Sequence, residues 1–135
     1  MDEFQTERLV RSPTSVAPDG FAVKALLRLR GGSMARFQLA GGQISRAVAH
    51  RTVDEIWFFT SGGGEIWRRQ GERQEIVSIE AGVCVTIPRG TSFQVRSVGP
   101  DPLTAIAVTM PPWPGDDEAY RVEGRWAPTV PQEIY

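Results

Sequence analysis

Short β-prone runs, set apart roughly every eight to twelve residues by turn residues, predict an all-β protein. No stretch carries the 3.6-residue periodicity of a convincing helix, and 14 glycines and 10 prolines supply the punctuation. About nine strands joined by tight turns point to an antiparallel double-sheet jelly-roll barrel. At 135 residues, 41% of them hydrophobic and 23% charged, the chain has ordinary globular composition, which excludes a disordered polymer. A domain of this size buries roughly two-thirds of its unfolded surface, so it is stable without disulfides.

The first strand is read at Val23 to Arg30, where Val23, Ala25, Leu27 and Leu29 alternate with Lys24, Arg28 and Arg30 and Leu26 breaks the pattern. Gly31-Gly32 turns the chain into Met34–Leu39, with Phe37 and Leu39 on one face. After the Gly41-Gly42 turn comes a strand from Ile44 to His50. Glu55–Thr60 is strongly β-prone and ends in Ser61-Gly62-Gly63-Gly64, read as a tight hairpin loop returning through Glu65–Arg69. Glu75–Ile79, Val83–Ile87, Ser92–Val98 and Leu103–Thr109 complete the barrel, which spans 21–110. Residues 1–20 read as a loosely held arm, and 111–135 as an extended tail whose prolines exclude a central strand. The aromatics Trp113, Tyr120, Trp126 and Tyr135 imply that this tail packs on the barrel or on a partner subunit.

The charge balance argues against two classes of partner. Lys and Arg number 15 against 16 Asp and Glu, without a basic stripe, so no nucleic-acid partner is expected. No stretch approaches the ~20 apolar residues of a membrane helix, so no membrane partner is expected either. The first twenty residues hold no apolar run of signal-peptide length, and the single Cys84 forbids an internal disulfide. A cytoplasmic location is the expectation. Cys84 sits in the apolar run Val83-Cys84-Val85-Thr86-Ile87 and is expected to be buried and inert.

The chemistry concentrates between residues 42 and 97. Gly42, Val48, His50, Glu55 and Gly62 form one spaced series; Gly82, Pro88, Gly90, Phe93 and Ser97 form a second. The pair resembles the two motifs of the cupin superfamily, in its small single-domain conserved-barrel form. There the first motif runs Gly, His-x-His, Glu, Gly, and the second runs Gly, Pro-x-Gly, His, Asn. Every glycine and the proline fall in register. The resemblance implies a cupin jelly roll in which the faces carrying Val48 and His50, then Glu55, Trp57 and Phe59, then Phe93, Val95 and Ser97, converge on the barrel interior.

The departures from the motifs bear on function. The family's metal is held by two histidines, a glutamate and a third histidine, and those positions here are Val48, His50, Glu55 and Phe93. Only His50 and Glu55 can coordinate, and His50 is the sole histidine, which leaves a divalent metal short of its usual three or four protein ligands. No cofactor is therefore expected; a divalent metal on His50 and Glu55 is the alternative. The resemblance makes Val48, His50, Glu55, Trp57, Phe59, Phe93 and Val95 the candidate ligand pocket, with His50 and Glu55 the candidate catalytic pair. Each also has a plainer reading: a hydrogen-bonded barrel histidine, a strand-start carboxylate beside Asp54, and aromatics that fill the core.

Three functions stay open on these residues: a small-molecule-binding barrel with a degenerate metal site, a metal-independent isomerase or epimerase-like enzyme using His50, and a metal-dependent isomerase or dioxygenase with an atypical ligand set. A small-molecule ligand is the expected partner. Ile56 and Phe58, on the face opposite Trp57, suggest packing against a second sheet or subunit, so a homodimer is expected.

Overall fold

In the computed structural model, which describes residues 2–131, two antiparallel sheets face each other. The strands are β1 (Thr14–Val16), β2 (Ala22–Arg28), β3 (Ser33–Leu39), β4 (Val48–His50), β5 (Asp54–Ser61), β6 (Gly63–Gln70), β7 (Arg73–Glu80), β8 (Cys84–Ile87), β9 (Ser92–Ser97), β10 (Leu103–Met110) and β11 (Ala119–Arg121). One sheet has the order β1-β2-β3-β10-β5-β8 and the other β11-β4-β9-β6-β7. Two 3-10 turns, Leu9–Arg11 and Asp116–Glu118, are the helical pieces among the described residues, none of which forms a helix long and apolar enough to cross a membrane.

The period-2 pattern of the sequence decides which side chains enter the core. Along β5, Glu55, Trp57 and Phe59 are buried while Asp54, Ile56 and Phe58 face out. Leu39, Ile66, Ile79, Ile87, Phe93, Val95 and Leu103 meet them from the neighbouring strands and the opposite sheet. Burial of each large apolar side chain contributes roughly 1.5–3 kcal/mol, which holds the two layers together.

Several sequence expectations need correction. Ser61–Gly64 is not a hairpin: β5 and β6 belong to different sheets, and the glycines carry the chain from one layer to the other. Gly62 has φ +81° and a Cβ there would lie 2.3 Å from the Pro102 carbonyl oxygen; at Gly64 a Cβ would lie 2.0 Å from that of Arg96. The run from Ile44 forms a strand only at Val48–His50, with Ile44 making a lone bridge to Arg96. Ser45 to Ala47 bend away so that the Arg46 N–H reaches the Asp19 carbonyl. Cys84 is exposed, because its run alternates and only Val85 and Ile87 point inward. The break at Leu26 is real: the β2–β3 register shifts between Ala25 and Arg28.

The chain joins the sheet earlier than the sequence suggests, since β1 pairs with β2 through Thr14–Lys24, Ser15–Val23 and Val16–Ala22. At the other end, β11 pairs with β4 as an edge strand. Two buried polar side chains fasten this C-terminal segment. The Gln94 amide group donates to the carbonyls of Ser45 and Trp126 and accepts from the N–H groups of Arg125 and Trp126. The Glu118 carboxylate accepts from the N–H groups of Thr52 and Val53 and from the Thr52 hydroxyl. Tyr135 lies outside the described residues.

Candidate functional site

A cavity of about 400 Å³ opens between the sheets, lined by Ser15–Asp19 from the N-terminal segment and by Trp113, Gly115 and Asp116 from the C-terminal one. Its buried residues, Asp19, Val48, His50, Glu55, Trp57 and Thr109, form the floor. Exposed Val16, Leu27, Arg28, Met34 and Asp116 mark the rim. Four of the seven residues assigned to the pocket from sequence, Val48, His50, Glu55 and Trp57, line this space. Phe59, Phe93 and Val95 do not; they are fully buried and support the floor from behind. Phe93 sits edge-on to His50 and to Trp57, with ring centroids 5.3 Å and 5.7 Å away.

The floor is built by strand register. Glu55 opposes Thr109 across the β5–β10 ladder, so the Thr109 hydroxyl donates to Glu55 Oε2 at 2.5 Å. Trp57, two residues on and therefore on the same face, donates its indole N–H to Glu55 Oε1 at 3.0 Å. These two donors hold the carboxylate in one orientation. His50 enters from β4 in the opposite sheet, and its Nδ1 stands 3.6 Å from Glu55 Oε1, beyond hydrogen-bond range. That nitrogen is buried without a hydrogen-bond partner. Burial lowers the His50 pKa against the opposing charges of Glu55 and Glu118, so the imidazole is neutral at pH 7.

Four contributors, Asp19, Phe37, Thr109 and Trp113, were not assigned to the site from sequence. Asp19, read as part of a loose arm, is buried on the cavity floor, where its Oδ1 accepts from the Phe21 N–H. Burial pushes its carboxyl up to about 7, the nearby charge of Glu55 adds to this, and the Phe21 N–H and Arg46 oppose it. The Asp19-Gly20 pair, with Gly20 at φ +98°, carries the turn signature that marks an ordered position. Phe37 stacks on Trp57 with centroids 5.1 Å apart and planes 11° from parallel. Trp113 covers His50 from the C-terminal segment, and nothing periodic in that proline-rich stretch announces it.

The donors do not make a metal centre. Val48 and Phe93 fill two of the positions where the cupin motifs place ligands, which leaves His50 and Glu55 as the donors there. Among the described residues no three His, Cys, Asp or Glu side chains gather within reach of one ion. Cys84 lies on the outer face, opposite Phe58.

No protein-family model and no curated protein sequence matches the chain. Solved structures do match in shape. KdgF from Halomonas sp. superposes with a TM-score of 0.70 at 16% identity, covering 85% of this chain and 98% of its own. A conserved Klebsiella pneumoniae protein with a double-stranded β-helix domain gives 0.67 at 15% identity, over 90% of this chain and all of its own. The chain has the cupin fold. A variant of Streptomyces PAC13 solved with uridine is similar as well, at a TM-score of 0.70 and 11% identity, over 90% of this chain and 92% of its own. Identities this low fix the cupin architecture and leave the function to the residues of the site.

Proposed function

We propose that this cupin barrel binds a small organic molecule and does so without a metal. The observation that carries the reading is the cavity itself: about 400 Å³, within the usual range of ligand pockets, with aromatic walls and a cluster of oriented polar groups at its floor. Phe37, Trp57 and Trp113 supply flat apolar surface, while His50, Glu55, Thr109 and Asp19 supply the polar contacts that fix an orientation. The uridine found with PAC13 supports an organic occupant for a barrel of this shape. Elemental mass spectrometry on untagged protein, before and after dialysis against a chelator, tests it. No retained stoichiometric metal is expected. About one equivalent of iron, manganese, nickel or zinc per chain, lost in His50→Gln, would instead establish the metal-dependent alternative.

A second reading rests on the unpartnered His50 nitrogen. A neutral, buried imidazole is a competent general base, and Glu55 stands close enough to orient it once a ligand draws the two together. A metal-independent isomerase or epimerase would use the pair in that way. Turnover abolished in His50→Ala with the fold intact supports this, and unchanged turnover removes it. The exposed apolar residues Ile56 and Phe58 on the outer face of the six-stranded sheet support a homodimer formed through that face. Sedimentation equilibrium showing only monomer counts against the dimer.

A further inference from the structure

We infer that the cavity selects a protonated amine carried on a flat apolar body; this rests on the ligand-binding reading and names the class of ligand. The charges of the floor are of one sign. Glu55 and Asp19 are both buried there, and the only histidine is neutral at pH 7. No lysine lines the cavity, and its single arginine, Arg28, is exposed at the rim, where the exposed carboxylate of Asp116 shares the lining. Arg46 does not line the space: its guanidinium is committed to the backbone carbonyls of Pro18 and Pro131.

The two floor carboxylates retain acceptor capacity. Each Glu55 oxygen takes one hydrogen bond among the described residues and has a second lone pair to offer, and Asp19 accepts from the Phe21 N–H with no side-chain donor among the described residues. An ammonium group is the complement such a pair lacks, because it donates to a carboxylate while offsetting the charge of both. An anionic ligand would meet the Glu55 carboxylate, and Asp19 when ionised, in a desolvated site whose one lining cation, Arg28, stands at the rim, which disfavours it on electrostatic grounds. The walls act in the same direction. Phe37, stacked on Trp57, and Trp113 from the C-terminal segment give the cavity aromatic surface that suits both a flat ring and an adjacent cation. The raised Asp19 pKa agrees with this geometry: the charge of Arg46 offsets burial only in part, so the carboxyl is poised to release its proton when an ammonium arrives.

Three probes that share an indole body and differ in charge test the inference: tryptamine, 3-methylindole and indole-3-acetate, titrated calorimetrically at pH 7. Tryptamine is expected to bind at least about tenfold more tightly than either of the others, and its heat to differ between phosphate and Tris buffers as Asp19 releases a proton. Glu55→Gln, and separately Asp19→Asn, should narrow the gap between tryptamine and 3-methylindole; the asparagine still accepts from the Phe21 N–H, so that variant keeps the turn. Indole-3-acetate binding as tightly as tryptamine would overturn the inference. Binding of 3-methylindole with no preference for tryptamine overturns it too, but leaves the ligand-binding reading standing. Failure of all three probes to bind counts against both.

Discussion

Trp113 stands edge-on to the imidazole of His50, with ring centroids 5.4 Å apart and planes crossed at 79°. Phe93 meets the same imidazole from the core side. The candidate base is thus enclosed between a barrel residue and a residue supplied by the C-terminal segment. That segment is therefore part of the site, and its anchoring bears on ligand binding.

The enclosure has a consequence for the protonation of His50. Desolvation is the largest cause of its lowered pKa, outweighing the charges of Glu55 and Glu118. Trp113→Ala admits water on one side, so the pKa should rise toward the ordinary value of 6.5. Because the chain has one histidine, a single imidazole proton resonance followed by NMR across pH 4.5–8 reports it without assignment. A midpoint that stays where the wild type has it would show that the tryptophan does not control hydration.

Glu118 should control how firmly Trp113 is held. Its carboxylate serves the buried Val53 N–H and both donors of Thr52, which docks the turn that follows Trp113 onto the β4–β5 connection. Glu118→Ala leaves the Val53 donor buried without an acceptor, a loss of roughly 1–3 kcal/mol. Hydrogen exchange should quicken across 113–121 and remain slow in β9 and β10. Unchanged exchange in that stretch would mean that the segment is held by other contacts.

How much of this was readable from the sequence follows from what each feature depends on. The interior face of β5 was legible because strand alternation is strictly local: Glu55, Trp57 and Phe59 follow one another at every second residue. The layer change at Ser61–Gly64 was not, because a glycine run looks the same whether it reverses the chain within one sheet or carries it to another. Cys84 was misplaced by reading an apolar run as wholly buried when only alternate members face the core. Asp19, Thr109 and Trp113 reach the cavity through long-range pairing, and only their final neighbours give them a role. The replacement of two metal-ligand positions by Val48 and Phe93 was visible at once, since the motif spacing preserves the places while changing the chemistry.

Gln94 makes a comparable prediction for the outer face of β9. Its amide satisfies four backbone groups, three of them in the C-terminal segment (the Arg125 N–H and the N–H and carbonyl of Trp126), and that segment covers it. Gln94→Leu keeps the volume and removes every one of these bonds. Limited trypsin digestion should then cleave at Arg125 well before the barrel is attacked, whereas the wild type resists. Equal resistance in the variant would assign the docking to the Thr129 and Val130 contacts with Ile44 instead.

Asp19 gives the protein a stability profile with a definite sign. Its carboxyl titrates near 3.8 when unfolded and near 7 when folded, so between those values the folded state keeps a proton that the unfolded chain has released. The contribution is therefore complete below about pH 4 and is lost as pH rises to about 7, on the order of 4 kcal/mol across the window. His50 works in the opposite sense: its lowered pKa makes the unfolded chain the better proton acceptor below 6.5, so its contribution is lost as pH falls through that value. Comparing Asp19→Asn with the wild type cancels the histidine. Calorimetric melting should find the variant close to the wild type at about pH 3.5 and clearly more stable at pH 8, where the wild type must bury an ionised carboxylate. A difference in Tm that is the same at both pH values would mean that Asp19 titrates normally, and that the cavity floor is better hydrated than its burial implies.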